Sequence, residues 1–276
     1  VTGLTNGTEY SFVVEAGTTS ANWGLASATA TATPIGATSA PGIDVTPDDT
    51  VGYPVITEPA TLNGAAVIRY ELTYQATSGG AWSATRTILP NASVDPITDL
   101  VNGTSYTVSV VAVNAAGNSV AGTTTFTPAK VPSAPTNVRA RPGSIIVTWD
   151  APADTGGASI TSYEITVTDP DNISTTYTYN GSSNPTGATS CTTGRSCTIT
   201  QVKDADGVFG AIPNDTEFTV SVVAITSAGS GPSSEDSVII SGQPDAPTNL
   251  VATSGLYSFE LCWTPPAGSL TAYKIS

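Results

Sequence analysis

The sequence predicts an all-β chain built from a tandem repeat, and three observations lead there. Thr, Ser, Gly, Pro and Asn stand where strong helix formers would, and no stretch repeats apolar residues at helical spacing over three turns. Several segments instead alternate apolar and polar residues with period two, the pattern of a strand with one buried and one wetted face. The third observation is internal repetition: the segment LTNGTEY (4–10) returns as LVNGTSY (100–106) and, altered, as IPNDTEF (212–218).

Each copy sets an Asn-Gly or Asn-Asp turn between an apolar residue and an aromatic. An alternating strand follows, through Tyr10, Phe12 and Val14, through Tyr106, Val108 and Val110, and through Phe218, Val220 and Val222. A second recurring element, Ser39-Ala40-Pro41, Ser133-Ala134-Pro135 and Asp245-Ala246-Pro247, opens a short strand each time, with proline where no ladder donor is needed. Strands ending at Trp149 and Trp263 come next, then a Pro-rich turn, then strands holding Tyr163 and Tyr273. Tyr70 occupies the same place in the second unit, but Ile56 stands there at the position of Trp149, so that core has no indole.

This order of Pro start, Trp strand, Pro turn, Tyr strand and aromatic corner resembles the fibronectin type III domain. The phrasing APADTGGASITSY (151–163) is similar to type III units of large secreted bacterial proteins, and the resemblance extends over essentially the whole chain. It implies tandem immunoglobulin-like, seven-stranded Greek-key β-sandwiches. Trp149, Trp263, Tyr70, Tyr163 and Tyr273 are then core residues, and the corner residues Tyr10 and Tyr106 bond back to the backbone through their hydroxyls. Phe218 has no hydroxyl for that bond. The boundaries read as 1–34 for the closing strands of one unit, 37–128 for a complete second, 132–242 for an enlarged third, and 244–276 for the opening strands of a fourth. The chain is thus expected to be a window on something longer. Its connectors, 33–36 and 128–132, are short and proline-stiffened, which predicts a semi-rigid array.

The chemistry is sparse. With no His, the commonest general base and the Ser-His and Cys-His pairs are missing, and no nucleophile elbow, phosphate loop or dinucleotide fingerprint occurs. No enzyme activity is expected. A balance of 22 acids to 8 bases, net charge −14, repels phosphate backbones, so nucleic acid is not an expected partner. No apolar run approaches the roughly 18 residues of a spanning helix, so no membrane insertion is expected within this segment.

Cys191 and Cys197 admit a metal or redox site, or a disulfide closing a hairpin tip. No other Cys or His lies near them, which argues against zinc. A disulfide implies an oxidising compartment, and similar pairs occur at this place in bacterial type III units. Cys262 precedes Trp263, so alternation turns it away from the core. Asp204-Ala205-Asp206-Gly207 and Asp169-Pro170-Asp171-Asn172 are fragments of calcium loops, and Asp204 and Asp206 are calcium candidates. Neither fragment supplies six oxygens, and Asx turns account for both; no other cofactor is expected. The third unit is longer between Tyr163 and Phe218 than the second is between Tyr70 and Tyr106. Part of the excess is the loop 203–211, where Phe209 is a contact tip if it is not tucked back. Trp23, on a loop, is either a contact residue or packs on its own sandwich edge.

The functional expectation is an extracellular structural or adhesive array at a bacterial cell surface, a stalk or surface-filament segment of a larger protein. Its expected partners are neighbouring type III domains or copies of itself, with surface glycans or polysaccharide beyond them. The alternatives are a non-catalytic spacer of a secreted carbohydrate-active enzyme and a virion tail or decoration module.

Overall fold

The structure is a computed structural model that describes residues 1–19, 22–141, 144–181, 185–186, 188–192, 195–240, 246–265 and 272–275. Strand is the one regular secondary structure among them. The chain gathers into two compact units. Unit 1 comprises 1–133 with 154–160 and 226–230, and unit 2 comprises 134–153, 161–225 and 231–276.

Unit 1 opens with the short strands β1 (Tyr10–Phe12), β2 (Gly17–Thr19), β3 (Asn22–Trp23) and β4 (Ala30–Ala32), paired β1–β4 and β2–β3. Its sandwich sets β5 (Gly42–Asp48) and β6 (Val51–Thr57) against a second sheet. That sheet holds β7 (Arg69–Ala76), β8 (Arg86–Ile88), β9 (Tyr106–Asn114), β10 (Gly117–Asn118) and β11 (Gly122–Phe126), in the order β10-β9-β7-β8 with β11 also on β9. Period-two alternation delivers one face of each strand to a shared core: Val45 from β5, Leu72 from β7, Val108 and Val110 from β9, and Phe126 from β11.

Unit 2 repeats the plan. β12 (Thr136–Arg141), β13 (Ile145–Asp150), β16 (Ala188–Thr192) and β17 (Ser196–Ile199) form one sheet, ordered β12-β13-β17-β16. β14 (Ser162–Thr168), β15 (Ser174–Tyr179), β20 (Thr216–Thr226) and β21 (Gly229–Ile240) form the other, ordered β15-β14-β20-β21, its β20–β21 turn falling to unit 1. β18 (Gln201–Lys203) and β19 (Phe209–Ala211) make a small ribbon, and β22 (Thr248–Gly255) pairs with β23 (Ser258–Thr264). Trp149 is buried and meets Tyr163 edge-on, ring centres 5.3 Å apart; Trp263 meets Tyr273 the same way at 5.0 Å.

Strand register aligns the two sandwiches residue by residue. Gly42 faces Thr57 as Thr136 faces Asp150, which equates Ile56 with Trp149, Pro54 with Val147 and Gly52 with Ile145. Tyr70 opposite Ala112 matches Tyr163 opposite Ala224.

The aromatic corners show a pairing the repeat alone did not suggest. The Tyr10 hydroxyl accepts the Thr5 N–H at 3.0 Å, and the Tyr106 hydroxyl accepts the Val101 N–H at 3.0 Å, five residues back in each case. The Thr5 donor holds the Tyr10 phenol below its ordinary pKa. Five residues before Phe218 stands Pro213, which has no N–H. The corner that lost its acceptor has lost its donor too, so no backbone group is orphaned. Tyr106→Phe, which strands the Val101 N–H, is expected to lower stability by about 1 kcal/mol. Phe218→Tyr, which meets a proline, should gain nothing. Urea unfolding of both variants checks this, and a gain from Phe218→Tyr refutes it.

Candidate functional site

With so little chemistry in the side chains, the recurrent feature of unit 1 is where its connecting segments are tied down. At the first, Gly7 N–H donates to Pro34 O at 2.9 Å, and Gly36 N–H to Asn63 O at 2.8 Å. Ser39 and Thr61 exchange bonds, backbone to backbone at 3.0 Å and Thr61 N–H to Ser39 Oγ at 3.1 Å. Asn114, buried at the end of β9, donates through Nδ2 to Gly36 O at 2.8 Å. These bonds need backbones in contact, and Gly64 allows it. A Cβ there would lie 2.6 Å from Pro34 O and 2.8 Å from Gly7 N, and its φ of +85° is itself costly for other residues.

The same device recurs, also inside unit 1. Gly103 N–H donates to Pro128 O at 2.9 Å, Lys130 N–H to Gly156 O at 2.9 Å, and Ser133 N–H to Asp154 O at 2.8 Å, with Asp154 N–H returning to Ser133 Oγ at 3.3 Å. Gly157, φ +91°, fits against Gly103 where a Cβ would collide with its N–H. An ion pair is added, Lys130 Nζ to Asp154 Oδ2 at 3.0 Å. The Gly156 N–H and the Lys130 ammonium hold the Asp154 carboxyl below the usual range, and Asp154 raises Lys130. Both groups are exposed, so the pair orients the segment more than it stabilises it. At the next corner Asp215 N–H donates to Ile240 O at 2.6 Å, and residues 241–245 lie outside the described residues.

The residues singled out in the sequence are dispersed. Cys191 and Cys197 are disulfide-bonded and face each other across β16–β17, with Cys197 fully buried opposite Val147. The bond cross-links the two strands of the hairpin, and β17 joins it to the sandwich by pairing with β13. Cys262 is free and exposed. The 203–211 segment is ribbon, not free loop: Phe209 is tucked back against Tyr177, ring centres 6.5 Å apart, with the Lys203 ammonium 5.3 Å from its centroid. Phe209 is therefore not an exposed tip, because Tyr177 offers it a ring to cover. Tyr177 is buried, its hydroxyl donates to Gln201 O, and desolvation pushes its phenol up to about 12.

The two acidic turns border one cleft of about 370 Å³. Each first aspartate closes an Asx turn: Asp169 Oδ1 accepts from Asp171 and Ile173 at 3.0 and 2.8 Å, and Asp204 Oδ1 from Asp206 and Val208 at 3.0 and 2.9 Å. Among the described residues no group of three or more potential metal-ligating side chains occurs. Trp23 is 59% exposed and lays its ring over Gly17 on the paired strand. Among the described residues no helix is long and apolar enough to cross a membrane. Sequence reading passed over Gly64 and Gly157; the signal was there in Asn63-Gly64 and Gly156-Gly157, each preceding the Tyr strand at a similar distance.

Two stacked antiparallel sheets with crossed connections define a Greek-key sandwich of the immunoglobulin-like class. Residues 133–240 match the model of the fibronectin type III domain, and that segment belongs to the fibronectin type III family. Similar solved structures include the FN1–FN3 domains of chicken CNTN1, at 18% identity and a TM-score of 0.41, covering 86% of this chain and 79% of that one. A two-domain fibronectin type III segment of chicken tenascin is 18% identical with a TM-score of 0.33, covering 72% of this chain and 98% of that one.

Replacing Cys191 and Cys197 by Ser should lower the stability of unit 2 by about 2 kcal/mol, the chain-entropy value for so short a loop, while unit 1 unfolds as before. Denaturant unfolding followed by unit-specific amide signals decides. A second expectation concerns alkali. Tyr177 is neutral when folded, and its pKa rises from 10.0 to about 12 on folding. Its contribution is therefore complete below pH about 10 and is lost as pH climbs through about 12. Tyr177→Phe should flatten the loss of unit 2 stability across that window, measured by denaturant midpoints at stepped pH.

Proposed function

We propose that the chain is part of an extracellular tandem array of type III modules, divided at 1–34, 37–128, 132–242 and 244–276, that holds its neighbours at fixed spacing. It works as a semi-rigid stalk or surface-filament segment of a larger protein, without catalysis, at a bacterial surface. The observation behind this is the repeated joint: an Asn-Gly corner, a proline-bearing connector and a glycine turn bonded by main-chain groups, built twice along the chain. A connector free to swing would need none of these bonds. The Cys191–Cys197 disulfide supports an oxidising location. An exposed, acidic surface with 22 acids to 8 bases suits a module that must stay soluble beside many copies of its kind. Its partners are neighbouring type III modules and, through the outer faces, copies of the chain or surface glycans.

Gly64→Val and Gly157→Val test the stiffness directly. Each puts a Cβ into backbone, so the sandwiches should stay folded while the joint opens. Small-angle scattering and residual dipolar couplings should show one narrow set of interdomain orientations for the parent chain and a broad set for each variant. An equally broad set in the parent would end the reading.

A further inference from the structure

The two sandwiches differ at one edge. In unit 2, β17 covers β13 from Ile145 to Thr148, and Trp149 N–H donates to Arg195 O at 3.1 Å. Its counterpart β6 keeps on that side only the bridge between Gly52 and Ile97, N–H to O at 2.9 and 2.8 Å. Alternation aims the backbone groups of Gly52, Pro54 and Ile56 away from β5, and Pro54 has no N–H to give. Asp95, which would lie opposite Pro54, turns its carbonyl to Arg86 Nη1 at 3.3 Å, and the same nitrogen binds Pro96 O at 3.0 Å. The chain's own strand is drawn off, and Ile56 is left with its N–H and C=O on the open side.

Beside that edge lies a cleft of about 450 Å³ walled by Pro54, Ile56, Tyr70, Ile88 and the turn 89–94, with Glu58 at its rim. Register places this cleft beside the residue that replaces Trp149. Where units of this chain have the Trp, it meets the following Tyr edge-on, at 5.3 and 5.0 Å; in unit 1 Tyr70 and Ile56 both line the cleft instead. Ring slot and open strand edge are thus adjacent.

We propose that this cleft is a peptide-binding site. An extended segment of a partner protein adds beside β6, bonds Ile56 N–H and C=O and Pro54 C=O, and sets one tryptophan side chain against Tyr70. Strand addition supplies affinity through the main chain and specificity through the pocket for one side chain. An indole on Tyr70 restores the edge-on ring pair that Trp149 and Trp263 make within their own units. Glu58 at the rim and the chain's net charge of −14 select neutral or basic flanking residues.

The probe is a blocked peptide, Lys-Thr-Trp-Thr-Lys, titrated into the whole chain and followed by amide and methyl shifts. Saturable shifts at Ile56 and Ile88 are expected, with affinity falling by about tenfold when the Trp becomes Ala. Ile56→Trp fills the slot and should abolish binding. If circular dichroism shows that variant unfolded, Glu58→Gln, a surface change, should still weaken the peptide several-fold. Free indole should bind the same residues less tightly than the peptide. No saturable shift up to about 10 mM, equal affinity of the Ala peptide, or indole as tight as the peptide each overturns the proposal. So does a dimer of the peptide-free chain that Ile56→Trp dissolves, since the occupant is then a second copy reaching in with exposed Trp23.

Discussion

Everything unit 1 does at its connectors depends on two backbones approaching where neither can carry a side chain. The Gly7 and Gly103 amides reach Pro34 and Pro128, while Gly64 and Gly157 close against those same turns. A backbone hydrogen bond is worth little net in water, about 1 kcal/mol. Several in parallel across a short connector fix its direction well beyond what one would. The prolines cooperate by limiting what the connector could do if released, so less entropy is lost on docking it.

Much of this fold was legible in the sequence because β-sandwiches write themselves in period two. Val108, Val110, Val220 and Val222 alternate with polar residues, and all four are fully buried. The corner aromatics were legible for a different reason, their fixed distance from an Asn-Gly turn. What the sequence could not show was any dependence between residues whose link is geometric. Nothing in the string says that Pro213 and Phe218 form one exchange, since the bond they forgo is visible only in Tyr10 and Tyr106. Phe209 was undetermined for the same reason: its partner, Tyr177, lies on a strand contributed by a separate hairpin.

The site was less legible than the fold. Sequence reasoning looks for side chains with reactive groups, and this chain has few; its working groups are main-chain amides at Gly7, Gly36 and Gly103. Cys191 and Cys197 were found because cysteine spacing is conspicuous, and the structure gives the pair a packing reason too. Cys197 lies inside the sandwich against β13, and the bond ties β16 to the strand that covers the β13 edge.

Two exchanges separate the corresponding edges of the two sandwiches. Val147 donates to its neighbour strand and Pro54 cannot; Trp149 fills its core and Ile56 does not. Either change alone would cost stability for nothing: a proline in a paired strand orphans a carbonyl, and a lost indole leaves a void whose cost scales with its volume. Together they convert a closed edge into an open one beside a ring-sized cleft, with Arg86 taking up the Asp95 carbonyl that the proline left without a donor. The proline's loss is repaired locally by Arg86 while the indole's is left as a cleft, and that combination is what the proposed strand addition requires.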